Sequence, residues 1–156
     1  AYARLARLPA PVPAAVGVIE WLRRGIALEV RVPIELREGP RVTVRADGDQ
    51  LDQLLINLLR NAADAALETG GGVTMASSVG EGWFELRIED DGPGVAETDN
   101  LFVPFFTTKS GGSGIGLALS RQIAEAHGGT LTLANRGGVR GCVATLRLPI
   151  ASEEAH

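Results

Sequence analysis

At 156 residues and a net charge of −4, the chain fits one domain of ordinary size, about 100–200 residues. Its basic residues form no cluster beyond the pair Arg23-Arg24, which argues against a nucleic-acid backbone as partner. Cys142 is the only cysteine, which excludes an internal disulfide framework and suits a reducing compartment, and no apolar run of about eighteen residues is long enough to span a membrane.

In chain order, Ala1–Pro13 reads as the end of a preceding helix (Tyr2, Leu5 and Leu8 on one side), broken into a linker by Pro9, Pro11 and Pro13. Ala14–Arg24 is a modest helix candidate. Ile26–Val32 and Val42–Ala46 alternate apolar and polar residues as half-buried strands do. Asp47–Leu67 is the strongest helix: Asp47 can cap it, with Gln50 at capping-box spacing. Leu51, Leu55, Leu58, Ala62 and Ala65 make its apolar stripe, while Gln53, Asn57, Asn61 and Asp64 make a polar one. Gly70-Gly71-Gly72 ends it. Val73–Ser78 and Trp83–Glu89 then read as paired strands. A loop from Asp90 to Gly114 leads to a helix reaching about Ala126, with Ile115, Leu119, Ile123 and Ala126 inward and Gly128 as its stop. Leu131–Ala134 and Cys142–Leu148 close the chain as strands. This order predicts α+β layers rather than a doubly wound parallel sheet.

Four segments carry candidate chemistry. Asn57 and Asn61, one helical turn apart, face the same way; amide oxygens are neutral hard ligands suited to Mg²⁺, although the pair taken alone reads more readily as an exposed polar face. Glu89-Asp90-Asp91-Gly92-Pro93-Gly94 follows an apolar strand. A carboxylate there can accept a hydrogen bond from an exocyclic amine such as adenine N6, or the segment is an ordinary acidic turn. Leu101–Lys109 joins apolar and polar halves around Pro104, as a flap would, with Thr107, Thr108 and Lys109, the only lysine, free to reach phosphate; a buried edge segment is the other reading. Gly111-Gly112-Ser113-Gly114-Ile115-Gly116-Leu117 opens a helix, whose free N–H groups favour phosphate. It is neither a P-loop nor the dinucleotide fingerprint.

Together and in this order, the four resemble the N, G1, F and G2 boxes of the histidine-kinase ATPase domain, in the superfamily shared with gyrase B, Hsp90 and MutL. The stretch from Phe105 to Gly129 is most similar to the nitrogen-regulation type of sensor kinase, and the resemblance covers about residues 14–150. It implies a Bergerat-type fold: a two-layer α/β sandwich, its mixed sheet covered on one face by helices, with a mobile lid over ATP at about residues 95–113. Residues 1–13 would then be linker and 151–156 a tail. The resemblance makes Asn57 and Asn61 the catalytic pair, Asn61 holding Mg²⁺ and Asn57 beside the phosphates. It makes Asp90 the acceptor of the adenine amine, with Gly92 and Gly94 shaping the pocket. Thr107, Thr108 and Lys109 would complete the ATP site from the lid. Gly112, Ser113, Gly114, Ile115, Gly116 and Leu117 would complete it from the phosphate loop.

The implied activity is transfer of the γ-phosphate of MgATP to a histidine on a separate helical dimerisation domain, within a cytoplasmic signalling protein whose full length could be anchored in the inner membrane. A response regulator would be the downstream partner. Neither nucleic acid nor membrane is an expected partner of this domain. Three departures stand out: Asp64 where many relatives carry lysine, Cys142 where they often carry threonine, and no phosphoacceptor motif. The two histidines are His127 and His156; His127 is expected to be structural, a partly charged ring at a helix end. Competing readings on the same fold are an ATP-driven clamp of the Hsp90 or MutL kind, a serine kinase of the anti-sigma-factor type, and a non-catalytic nucleotide-binding module. Hydrolytic relatives place a glutamate where this chain has Asn57, which argues against the clamp.

Overall fold

The structure is a computed structural model that describes residues 8–93, 115–136 and 140–150. Its elements run β1 (Ala14–Gly17), α1 (Val18–Leu28), β2 (Ile34–Leu36), β3 (Thr43–Ala46), α2 (Gly48–Thr69), β4 (Val73–Gly80), β5 (Trp83–Asp90), α3 (Ile115–Ala126), β6 (Thr130–Asn135) and β7 (Cys142–Pro149). The main sheet has the order β2-β4-β5-β7-β6, and β1 pairs with β3 in a small separate sheet. β2 is parallel to β4 and the other neighbours are antiparallel, so the sheet is mixed as expected.

The two-residue period of the strands sorts their side chains. Phe84, Leu86, Ile88 and Asp90 of β5, with Cys142, Ala144, Leu146 and Leu148 of β7, are buried. They meet the buried faces of α2 and α3, which makes the two-layer sandwich. The opposite face carries Glu85 and Trp83, where the Arg147 guanidinium lies 4.8 Å over the indole ring.

α2 is the spine. Asp47 caps it by accepting the Gln50 N–H at 3.1 Å, and Gly70 ends it in the left-handed conformation at φ 72°. Leu51, Leu55, Leu58 and Ala62 are buried as the stripe predicts; Ala65 is only partly so, and Ala63 and Ala66 take its place. α1 packs against α2 with Trp21, fully buried, donating its indole N–H to Leu51 O at 3.0 Å.

Two local expectations at the N-terminal side give way. Ala14–Gly17 is strand, because its backbone pairs with β3. The alternation over Ile26–Val32 does not make a strand: α1 continues to Leu28, and Leu28 and Val30 are 67% and 86% exposed. Alternation without burial carries no sheet information. In α3, Ile123 is buried and Leu119 partly so, but Ala126 is exposed; Ala118, Ser120 and Ala124 complete the inward face. Among the described residues no helix is long and apolar enough to cross a membrane.

Asp47 also organises the chain's entry into the domain. Its second carboxylate oxygen accepts the Val12 N–H at 2.9 Å, and the Gln50 side chain donates to Pro9 O at 2.9 Å instead of returning to the cap. The backbone N–H of Asp47 donates to His127 Nε2 at 3.1 Å, and His127 Nδ1 lies 2.8 Å from Ile123 O. An accepting Nε2 places the ring proton on Nδ1. His127 is therefore structural, as expected, as a bridge between α2 and α3. His127→Ala is expected to cost about 1–2 kcal/mol through these two hydrogen bonds, measured by urea unfolding; no change in the midpoint would discount the bridge.

Candidate functional site

The site forms where α2, the end of β5 and the start of α3 converge. On α2, the Asn57 amide accepts from Gln53 Nε2 at 3.0 Å and donates to Gly116 O at 3.4 Å. The i, i+4 spacing thus sets one amide against the first turn of α3, with Gly116 close enough that a Cβ there would lie 3.7 Å from Asn57 Cγ. Leu117 packs partly buried against the core beside it. Asn61 follows one turn on.

Three positions beyond Asn61, Asp64 is bound by Arg31, whose Nη1 donates to Asp64 Oδ1 at 2.8 Å. The Arg31 guanidinium also grips Glu29 through Nε and Nη2, each at 3.0 Å, and holds the Glu29 carboxyl below the usual range. Where the resemblance leads one to expect a lysine, this chain has a carboxylate with a guanidinium on it. The sequence reading did not single out Arg31, because its loop position carries no periodic signal.

The other wall is the end of β5. Strand alternation turns the Asp90 side chain to the helix-covered side, where it is 5% exposed. Burial pushes its carboxyl up, while the backbone N–H groups of Gly92 and Cys142 pull it down; the Gly92 N–H donates to Asp90 Oδ1 at 2.9 Å. Gly92 lies so close to α2 that a Cβ there would sit 2.6 Å from Ala65 Cβ and from its carbonyl oxygen. Any side chain would wedge the Asp90 turn away from the helix that bears Asn61.

Cys142 pairs in register with Asp90. Its thiol is buried and pushed up to about 12 by burial and by the Asp90 charge, so it stays protonated. The main-chain N–H of Cys142, rather than its thiol, meets Asp90. Next along the chain, Asp91 is fastened on three sides: Thr69 Oγ1 donates to its carbonyl at 2.7 Å, Gly72 N–H to its carboxylate at 3.3 Å, and Arg136 to the same carboxylate at 2.6 Å.

Of the residues expected at the site, Asn57, Asn61, Asp90, Gly92, Gly116 and Leu117 are thus placed on elements that meet, and Ile115 opens α3. Gly94, Thr107, Thr108, Lys109, Gly112, Ser113 and Gly114 lie outside the described residues. The donor chemistry fits Mg²⁺: neutral amides one turn apart on α2, across from the buried Asp90 carboxylate, suit a hard cation that keeps water and phosphate as its other ligands.

Comparison with known proteins gives a consistent set. The family described as histidine kinase-, DNA gyrase B- and HSP90-like ATPases matches residues 46–152. The two-component sensor PprA of Pseudomonas aeruginosa is 37% identical over 155 residues, covering 91% of this chain and 16% of that protein. The nucleotide-free catalytic domain of histidine kinase ThkA superimposes with a TM-score of 0.79 at 27% identity, covering 92% of this chain and 99% of that one. Full-length ShkA in complex with AMPPNP gives 0.80 at 29% identity, covering 96% and 34%. The chain spans only 16–24% of the length of the curated relatives it matches.

Proposed function

The chain belongs to the family of histidine kinase-, DNA gyrase B- and HSP90-like ATPases, and from that premise we propose that it binds MgATP and donates the γ-phosphate to a histidine on a separate helical domain of a longer sensor kinase. The observation that carries this reading is Asn57. It holds the place where hydrolytic relatives have a glutamate, and its amide is engaged both as acceptor from Gln53 and as donor to Gly116. An amide cannot take a proton from water, so the site positions ATP for transfer without promoting hydrolysis. Phosphoryl transfer relies on positioning and charge neutralisation rather than covalent chemistry by the protein, and an acceptor imidazole is largely neutral near pH 7, hence nucleophilic by itself.

In this reading Asp90 accepts the adenine amine, Gly92 and Gly94 shape the base pocket, and Asn61 holds Mg²⁺, which when bound neutralises phosphate charge. Asn57 keeps α2 and α3 in step beside the phosphates. Backbone amides of Gly112, Gly114 and Gly116 meet the phosphates, with Ser113, Ile115 and Leu117 in the same turn, and Thr107, Thr108 and Lys109 close over them in a lid of about residues 95–113. Residues 14–150 form the catalytic domain. The phosphoacceptor domain of a homodimer and a response regulator are its protein partners, and the domain works in the cytoplasm.

Calorimetric titration with a non-hydrolysable ATP analogue, with and without Mg²⁺, tests the site. Wild type is expected to bind more tightly with Mg²⁺. Asn61→Ala is expected to lose that enhancement, on the order of tenfold for one charge-assisted contact, while retaining Mg²⁺-free affinity. An Asn61→Ala variant with the full Mg²⁺ effect would remove Asn61 from the metal role.

A further inference from the structure

Three consecutive acidic residues, Glu89, Asp90 and Asp91, stand at the end of β5 and just past it, and their mutual repulsion would be expected to splay the strand end. One side chain from the far hairpin touches all three, beside Arg87 on Glu89 at 3.3 Å and the Gly72 N–H on Asp91. Arg136, just after β6, donates from Nη1 to Asp91 Oδ1 at 2.6 Å and to the Asp90 carbonyl at 3.3 Å, and its Nε lies 3.5 Å from Glu89 Oε1. The same Nη1 is 3.4 Å from Arg140 O, and the Arg136 backbone N–H donates to Gly141 O at 3.0 Å, which closes the hairpin around its own side chain.

Gly141 makes this route passable. Its φ is 126°, and a Cβ there would run into the Asp90 carbonyl and lie 2.8 Å from Arg136 Cδ. The guanidinium stem therefore crosses over a residue that must be bare to reach the main chain of the residue expected to read the base. An ordinary surface arginine pairs with one carboxylate; this one, with its side chain only 25% exposed, touches all three acidic residues.

We propose that Arg136 is a positioning residue for nucleotide recognition, clamping residues Glu89–Asp91 at the end of β5 so that the Asp90 carboxylate faces the base. This rests on the assignment of Asp90 to the adenine amine. Arg136 also counts electrostatically. Burial and the Asp91 charge raise the Asp90 carboxyl, whereas the Gly92 and Cys142 N–H groups and the Arg136 charge lower it. Among the described residues, the other charged or titratable groups nearby are Glu89 on the same strand with Arg87 paired to it, Arg140 beside Asp91 and the protonated Cys142 thiol. α2 contributes Ala65 and the Thr69 hydroxyl. A lysine would supply charge but not the planar fork whose Nε faces the Glu89 carboxylate while Nη1 bonds Asp91 and the Asp90 carbonyl.

The test uses Arg136→Met and Arg136→Lys in the whole chain. Affinity for a non-hydrolysable ATP analogue is measured from about pH 8 to about pH 6, and the Asp90 carboxyl is titrated by carbon-13 NMR without nucleotide. Arg136→Met is expected to bind about tenfold more weakly at the higher pH, as for loss of a charge-assisted hydrogen bond. The deficit should widen as pH falls, and Asp90 should titrate higher than in wild type. Arg136→Lys should return the Asp90 titration toward wild type without restoring full affinity. Wild-type affinity in Arg136→Met, or an equal loss at every pH with Asp90 unmoved, overturns the inference alone. If Arg136→Met does not fold, wild-type affinity in Arg136→Lys overturns it. A wild-type chain that binds no analogue overturns both the inference and the assignment beneath it.

Discussion

Asp90→Ala is expected to weaken binding of an ATP analogue by on the order of a hundredfold while the chain stays folded. A hydrogen bond to a charged acceptor contributes about 1.5–3 kcal/mol, and leaving a buried base amine without its partner puts the loss at the upper end, about a hundredfold. Folding survives because the substitution also removes a carboxylate whose ionised form burial disfavours, which offsets the loss of an acceptor for the Gly92 N–H. Asp90→Asn is the sharper variant. It keeps one oxygen for Gly92 but presents an NH₂ group to the base, so it should still reject an amino purine and gain relative affinity for a 6-oxo purine. Calorimetry with ATP and GTP analogues reads both variants. Undiminished ATP affinity in Asp90→Ala would remove the nucleotide site from the end of β5.

The second large effect is on stability. Trp21→Ala is expected to cost about 3–5 kcal/mol, the usual range for emptying a large buried aromatic site. Trp21 is fully buried, its ring centroid is 6.3 Å from that of Phe84, and its indole N–H is satisfied by Leu51 O. It joins α1 to both α2 and the sheet, so no neighbour can collapse into the space without dragging an element with it. Against a total stability of about 5–15 kcal/mol, the variant should unfold at much lower urea. The remaining tryptophan, Trp83, can report the transition by fluorescence. Trp21→Phe should fall between the two. A loss under about 1 kcal/mol would mean that α1 is held by other contacts.

Elements whose signal is local were legible in the sequence. α2 announces itself through Asp47, a stripe of leucines and three glycines, and it formed within two residues of expectation. β5 and β7 alternate because one face is buried, so their period has a physical cause. Where burial does not follow the alternation the pattern misleads: Ile26, Leu28, Val30 and Val32 alternate, yet Leu28 and Val30 are exposed and the four span a helix end and a loop. The inward phase of α3 slipped from Ala126 to Ala124 because alanine pairs define a stripe only weakly.

At the site, the residue types on α2 and β5 could be read in advance, since helical spacing and strand ends are sequence properties. What could not be read was which side chain from a distant hairpin reaches them. Asp90 faces Cys142 only through the β5–β7 register, and Arg136 reaches Asp91 only because that register places its turn alongside. Likewise Asp64 alone suggests a lost phosphate contact; the guanidinium Arg31 brings to it is a tertiary fact.

The junction at Asp47 sets how a mechanical disturbance would travel. One carboxylate oxygen grips the incoming chain at Val12, the other grips the first turn of α2, and the intervening peptide leans on His127 at the tail of α3. Tension on the strand entering the domain is therefore not absorbed by a slack tether. It arrives at once on the tips of the two helices whose other segments meet at Asn57 and Gly116, so a rotation of the chain ahead of Pro9 would be delivered to both as a torque about a single carboxylate.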